Sequence, residues 1–94
     1  MPGGIFLTGH MDVPPERLAA VMRALPEHIA LTRAEPGCLT FEVTPSPDSP
    51  GRLLVSEIFA DQAAFDAHQA RGKASAWAEV TAGLPRHYTL RTES

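Results

Sequence analysis

The sequence predicts an α+β domain of the ferredoxin-like type, a split βαβ arrangement in which two strand–helix–strand units follow one another. Alternating apolar residues mark four strands, and apolar residues at helical spacing fill the two long intervals between them. A run of turn formers joins the second and third strands. Two long crossovers around one short hairpin indicate a four-stranded antiparallel sheet with helices on one face. With 94 residues the chain is long enough for one core, so we predict one domain over 1–94.

The first unit begins with a strand over 5–12, in which Ile5, Leu7 and Met11 face one way and Phe6 the other. Pro14 and Pro15 then open a helix, because a first-turn residue needs no N–H donor. The apolar stripe of this helix keeps its phase through Pro26, which favours one kinked helix over two pieces. His28 lies off the stripe and is expected to be solvent-exposed. The stripe consists of Leu18, Val21, Met22, Leu25 and Ile29.

The second unit follows the turn Glu35-Pro36-Gly37, where proline and glycine end the helix. We predict a strand over 38–44 with Leu39, Phe41 and Val43 on one face, a hairpin loop over 45–51, and a strand over 53–59. Asp61 is a suitable N-cap for the next helix, which runs to about Ala70, is interrupted at Gly72 and resumes over about 73–81. The last strand covers 86–92.

Composition excludes several classes of partner. The formal net charge is −3 and no segment clusters Lys and Arg, so we expect no nucleic-acid partner. Apolar runs are far shorter than the roughly 20 residues that span a bilayer, and Met1–Thr8 lacks the features of a signal peptide, so we expect no membrane partner. The lone Cys38 is typical of a reducing compartment, and we expect a cytoplasmic protein.

The sheet is predicted to be apolar on both faces, since Phe6, Leu54 and Ile58 alternate with the residues assigned to the helix-covered face. A solvated face would be polar. We therefore expect a homodimer that forms through the sheet face away from the helices.

Glu57 and His68 are the strongest candidates for chemistry. Glu57 is in phase with Val55 and Phe59, and His68 shares the inward helix face with Phe65, so both point toward the same interior. A carboxylate beside an imidazole fixes its tautomer, and the pair is suited to moving a proton. The alternative is a structural hydrogen bond that ties helix to sheet.

His10 is a second candidate, which either lines the cavity or lies at a strand end in water. The four histidines form no HxH or HxxxH pattern and have no cysteine partner. This spacing predicts no metal site, and only assembly from distant segments would provide one. Cys38 is expected to be a small buried apolar residue, and Arg33 and Glu35 to be surface charges.

The aromatic residues lie on different elements and are suited to forming the walls of a pocket for a small apolar aromatic ligand. Trp77 is the strongest wall candidate. Phe41 and Phe65 fit a purely structural core position better. The set consists of Phe41, Phe59, Phe65, Trp77 and Tyr88.

Two segments point to a family. Residues 32–43, TRAEPGCLTFEV, resemble the "SR-x-EPG-C-L-x-F/Y" segment of the antibiotic biosynthesis monooxygenase (ABM) domain family. Residues 56–69, SEIFADQAAFDAHQ, resemble its "E-x-(aromatic)-x-D-x-x-A-(aromatic)-x-x-H" segment. The resemblance implies a dimeric α+β barrel with a cavity between sheet and helices in each subunit.

For enzymatic members, the resemblance implies oxidation of quinols, anthrones or similar polyphenolic aromatics by O2 without metal, flavin or other cofactor. By analogy, His68 is the base or hydrogen-bonding group and Glu57 orients it. By the same analogy Trp77 and Phe59 form the walls of the cavity. We expect the residues that contact the substrate to be His10, Phe59, Phe65, Trp77 and Tyr88. A haem-degrading branch is disfavoured because the first strand contains no Asn. The alternative is a non-catalytic homodimer of the same fold that binds a small ligand or acts in a stress response.

Overall fold

The structure is a computed structural model that describes residues 3–93. The strands form one antiparallel sheet in the order β2-β3-β1-β4, which confirms the ferredoxin-like α+β fold. Met1, Pro2 and Ser94, which the predicted domain includes, lie outside the described residues. The elements are β1 (Ile5–Asp12), α1 (Pro15–Arg33), β2 (Cys38–Pro45), β3 (Arg52–Phe59), α2 (Gln62–Lys73), α3 (Ala76–Val80) and β4 (Arg86–Thr92).

Helix α1 continues through Pro26, as the unbroken phase of its apolar stripe predicts. The buried stripe passes through His28, which is 6% exposed, and reaches Thr32 instead of ending at Ile29. The prediction that His28 is solvated is therefore wrong. The spacing of four, three and four residues places these side chains on one face. The side chains that α1 buries are Val21, Leu25, His28 and Thr32.

The second helical region is divided by side-chain caps. The Asp61 carboxylate accepts a hydrogen bond from the backbone N–H of Ala64 at 2.8 Å, which confirms the predicted cap of α2. Helix α2 runs past Gly72 instead of stopping there, because one helical glycine costs only about 1 kcal/mol relative to alanine. The break comes at Ser75, whose hydroxyl accepts from the N–H of Ala78 at 3.2 Å and so begins α3.

The helix-covered side of the sheet, here called the inner face, holds the core. Leu39 does not belong to it, although the alternation predicts that it does, because the register of β2 on β3 shifts between Cys38 and Thr40. This bulge leaves Leu39 53% exposed. The buried strand residues of the inner face are Ile5, Leu7, Met11, Phe41, Val43, Leu53, Val55, Glu57 and Phe59.

The opposite side, here called the outer face, mixes apolar and polar groups. Phe6 pairs with Ile58 in the register of β1 on β3, and the Arg91 guanidinium lies 4.4 Å from the centre of the Phe6 ring. On β4, Tyr88 and Leu90 share the inner face but remain substantially exposed, because β4 forms an edge of the sheet. Apolar surface is therefore left uncovered in two places. Within residues 3–93, no helix has the length and apolar character needed to cross a bilayer.

Candidate functional site

His68 and Glu57 meet in the interior between α2 and β3. His68 is 6% exposed and Glu57 is 8% exposed, so both point inward as their spacing predicts. Nε2 of His68 lies 3.8 Å from Oε1 of Glu57, which is too long for a hydrogen bond. The two groups are therefore neighbours without a direct hydrogen bond.

Glu35 makes the direct contact with the imidazole. Nδ1 of His68 lies 2.9 Å from Oε1 of Glu35, and the Glu35 side chain is only 13% exposed. The prediction that Glu35 is a surface charge is therefore wrong, and the orienting position expected for Glu57 belongs to Glu35. Because a carboxylate only accepts, the neutral ring carries its proton on Nδ1 and leaves the Nε2 lone pair free.

Further contacts fix the Glu35 carboxylate. Its other oxygen accepts from Nε of Arg71, and a terminal guanidinium nitrogen of Arg71 donates to the Thr32 hydroxyl at 2.9 Å. The turn that carries Glu35 contains Gly37 at φ +84°, and a Cβ at Gly37 would lie 2.5 Å from the Cβ of Ala64 on α2. The glycine thus allows both the turn and the close approach of α2, which brings Glu35 to His68.

Aromatic rings pack behind the imidazole. The Phe59 and Phe41 rings lie 4.9 and 5.7 Å from the His68 ring, and Phe65 packs edge-on against Phe59. Phe59 and Phe65 were expected to contact a substrate, but both are buried core residues that do not line the cavity beside His68. They restrict the orientation of the imidazole instead.

A cavity of about 210 Å³ lies on the open side of His68. Trp77 and Tyr88 line it, in the positions that the sequence predicts for them, together with His28, Glu57 and His68. The volume is below the roughly 300–1,000 Å³ that is usual for ligand pockets. It provides room for a small group close to both titratable residues.

His28 and Trp77 separate this cavity from a larger one. Their rings are stacked 4.7 Å apart with an interplanar angle of 6°, and both line a second cavity of about 450 Å³ toward α1. Nδ1 of His28 makes no hydrogen bond with any residue that the structure describes. The stacked pair is therefore held mainly by ring contact.

Burial shifts the pKa values of the titratable groups in the site. It raises the pKa of Glu57 to about 7, with a further contribution from the charge of Glu35. It lowers the pKa of His28 to about 4, and it also lowers the pKa of His68, although Glu35 acts in the opposite direction there. Near neutral pH both imidazoles are neutral, and Glu57 exchanges a proton readily. This combination is suited to proton transfer.

Comparison with known families identifies the domain. The family model described as antibiotic biosynthesis monooxygenase matches residues 4–80, which include His68, Glu57, Glu35 and Arg71. The chain belongs to the ABM family. This ABM domain contains both segments whose resemblance to the family is evident in the sequence. The two segments supply His68 and the two glutamates beside its imidazole, Glu35 and Glu57.

Solved structures share the fold of this ABM protein. A protein from Nitrosomonas europaea is 20% identical with a TM-score of 0.80, covering 99% of this chain and 92% of that one. One from Deinococcus radiodurans is 22% identical with a TM-score of 0.82, covering 96% and 92%. One from Bacteroides thetaiotaomicron is 26% identical with a TM-score of 0.79, covering 98% and 89%. All three bear the name antibiotic biosynthesis monooxygenase provisionally. Among curated proteins, none matches this chain.

Two other candidates of the ABM domain lie outside the site. His10 was expected to contact the substrate, but its side chain lies on the outer face beside His87, on the opposite side of the sheet from His68. The strand alternation already separates His10 from Leu7 and Met11. Cys38 is half-buried, and burial raises the pKa of its thiol, which opposes a role as nucleophile.

Proposed function

We propose that this protein is a cofactor-independent monooxygenase that oxidises a quinol, an anthrone or a similar polyphenolic aromatic compound with O2. The observation that carries the proposal is the buried His68 imidazole, which is held by Glu35 at Nδ1 and has Glu57 near Nε2 beside a cavity. Membership of the ABM family supports this reaction class.

The first step is removal of a proton from a phenolic hydroxyl or from the acidic carbon of an anthrone. Nε2 of His68 accepts the proton, and the resulting imidazolium is stabilised by Glu35 at 2.9 Å and by the ionised form of Glu57. General-base catalysis of this kind contributes roughly 10²–10⁴-fold to a rate. The neutral, buried imidazole is available for this step at neutral pH.

The electrons come from the substrate itself. The deprotonated aromatic ring reduces O2 and forms a carbon–oxygen bond at a position that carried hydrogen. In the net reaction one oxygen atom enters the substrate and the other leaves as water, and the substrate supplies all four electrons. The protein's part is to generate and orient the anion in a site shielded from water.

Trp77 and Tyr88 support an aromatic substrate because they line the cavity next to the two titratable residues. Rotation of Trp77 away from His28 would join this cavity to the larger one of about 450 Å³, which would provide space for a bicyclic or tricyclic compound. The chemistry would then remain at His68 while the rest of the ring system occupies the groove along α1.

A second candidate function is binding of a small apolar ligand without turnover. The observation that favours it is the small volume of the cavity at His68, about 210 Å³, with Trp77 filling the space toward α1. In that case the Glu35–His68–Arg71 contacts would tie α2 to the preceding turn as a structural network.

Oxygen uptake tests the enzyme proposal. With reduced menadione or an anthrone as substrate, we expect uptake above the buffer rate, and His68→Ala should lower kcat by roughly 10²–10⁴-fold. Glu42→Gln is a matched control, because Glu42 is exposed on the neighbouring strand and outside the site. Wild-type uptake equal to the buffer rate across a panel of quinols would overturn the proposal. Ligand-induced thermal shifts without turnover would favour the binding protein.

We also propose that the protein acts as a homodimer that associates through its outer face. The support is the apolar surface there: Phe6 and Ile58 form a half-buried pair, and Leu54 is 40% exposed. A domain of this size gains stability when such a patch is covered.

A further inference from the structure

Three metal-binding side chains come together on the outer face, on the opposite side of the sheet from His68. His10 and His87 are direct partners in the register of β1 on β4, and Asp12 follows His10 by two residues on the same face. The potential ligand atoms of the three side chains all lie within 4.8 Å of one another. The His10 and His87 ring centres are 4.9 Å apart.

We propose that His10, Asp12 and His87 form a binding site for a divalent transition-metal ion, with Zn²⁺ as the reference ion. Two imidazole nitrogens and one carboxylate oxygen are a ligand set that such ions prefer. Ligands about 2.1 Å from a tetrahedral ion lie about 3.4 Å apart. Nε2 of His10 is already 3.9 Å from Oδ2 of Asp12, so modest side-chain rotations close the site.

Arg52 acts on this site through Asp12. Its Nε donates to Oδ1 of Asp12 at 2.9 Å and its terminal nitrogen to Oδ2 at 3.3 Å. These contacts lower the pKa of Asp12 and hold its carboxylate in one orientation. Each carboxylate oxygen retains a second lone pair for a metal ion, so Arg52 is an outer-shell partner, although its positive charge weakens the affinity.

The surroundings leave room for an ion with bound water. In the single chain His87 is exposed, and the His10 and Asp12 side chains are 26% and 39% exposed, so the remaining coordination positions are open. In the proposed homodimer these positions would face the second chain, at the end of the sheet where β1 finishes and β4 begins. An ion held here would cross-link β1 to the edge strand β4. Binding would favour the folded chain, since the ligand set exists only when the two strands are paired.

This site is independent of the proposed oxygenation, because its residues lie on the opposite face of the sheet. The sequence predicts no metal site because it offers no local pattern. The site depends on the pairing of residue 10 with residue 87, which only the strand register reveals.

Titration of the metal-free protein with Zn²⁺ by calorimetry, and with Co²⁺ by visible absorption, tests the proposal. We expect one ion per chain, a raised Tm, and visible Co²⁺ bands of a site with nitrogen ligands. His10→Ala and His87→Ala should each weaken binding at least 10-fold. Thr89→Ala, an exposed substitution on the same strand as His87, is the matched control and should retain wild-type affinity.

Two results would overturn the proposal. One is wild-type binding weaker than about 100 μM, an affinity of only about −5.5 kcal/mol. The other is binding that survives both His10→Ala and His87→Ala but is lost in His68→Asn, which would place the ion beside His68 on the inner face instead. Circular dichroism of each variant establishes that the chain remains folded, and the Co²⁺ spectrum reports the ligands directly.

Discussion

The two faces of the sheet hold two histidine pairs in contrasting environments. His28 and His68 are buried against the inner face, where desolvation lowers the pKa of both, that of His28 to about 4. His10 and His87 lie on the outer face with solvent access. Burial therefore keeps both inner imidazoles neutral near pH 7, whereas the outer imidazoles are accessible in the single chain, as the proposed metal site requires.

The partners of the histidines differ in the same way. The inner pair contacts aromatic rings and two carboxylates, and one ring nitrogen of His68 is already engaged by Glu35. In the outer pair, Nε2 of His10 lies 3.9 Å from Oδ2 of Asp12, and this carboxylate is itself paired with Arg52. The environment of the inner histidines is thus set by close packing. The environment of the outer histidines is set by neighbouring charges and by whatever covers that face.

The largest expected effect is on packing. Phe59 is fully buried on the inner face, so Phe59→Ala should lower the free energy of unfolding by about 3–5 kcal/mol. Leu54→Ala, on the outer face of the same strand, removes a side chain that is 40% exposed and should cost about 1 kcal/mol or less. Urea unfolding of both variants measures the difference. Both variants are measured at a protein concentration low enough to exclude a dimer. Equal losses in the free energy of unfolding would then contradict the contrast between a packed inner face and an exposed outer face.

The second effect concerns association. If the outer face forms the dimer, Ile58→Glu should weaken association by about 100-fold or more, because an unpaired carboxylate would be buried at the interface. Sedimentation should show a wild-type dimer and a variant monomer with the same circular dichroism spectrum. A wild-type monomer at micromolar concentration would contradict the dimer.

The smallest effect is on pH dependence. The folded state raises the pKa of Glu57 from 4.5 to about 7, so the stability contributed by its protonated form is fully present below pH 4.5 and lost as pH rises through 7. The lowered pKa of His28 acts oppositely: its contribution is fully present above pH 6.5 and lost as pH falls toward 4. In the wild type these trends partly cancel.

Glu57→Gln removes one of the two trends. The variant should have a Tm several degrees above the wild type at pH 8, and its Tm should fall more steeply between pH 6.5 and pH 4. Thermal unfolding across this range measures both, with Glu42→Gln as the exposed control. Parallel pH profiles for wild type and Glu57→Gln would show that Glu57 does not titrate as its burial implies.

The fold was predictable because local pattern and topology agree. The strand bounds of β1 and β4, the passage of α1 through Pro26 and the Asp61 cap all follow from periodicity and capping chemistry. The bulge at Leu39 was not predictable, because alternation alone does not show where one strand takes up an extra residue.

The site was only half predictable. The apolar periodicity places Glu57 and His68 in the interior, because each lies on the same face of its strand or helix as buried apolar residues. His28 also has such a signal, because it lies seven residues after Val21, but the stripe drawn through Leu25 and Ile29 leaves it out, and it was therefore expected to be exposed. Glu35 has none: its contact with His68 depends on how the Gly37 turn packs against Ala64, which is a tertiary relation. The same holds for the pairing of His10 with His87.

The two edges of the sheet differ in their exposure to intermolecular strand pairing. The edge strand β2 is interrupted by its bulge and ends at Pro45, both of which hinder the addition of another strand. The edge strand β4 pairs with β1 in continuous register and is exposed along its whole length. Self-assembly into fibrillar or swapped species would therefore begin at β4, where Arg86 and Arg91 provide the charges that oppose it.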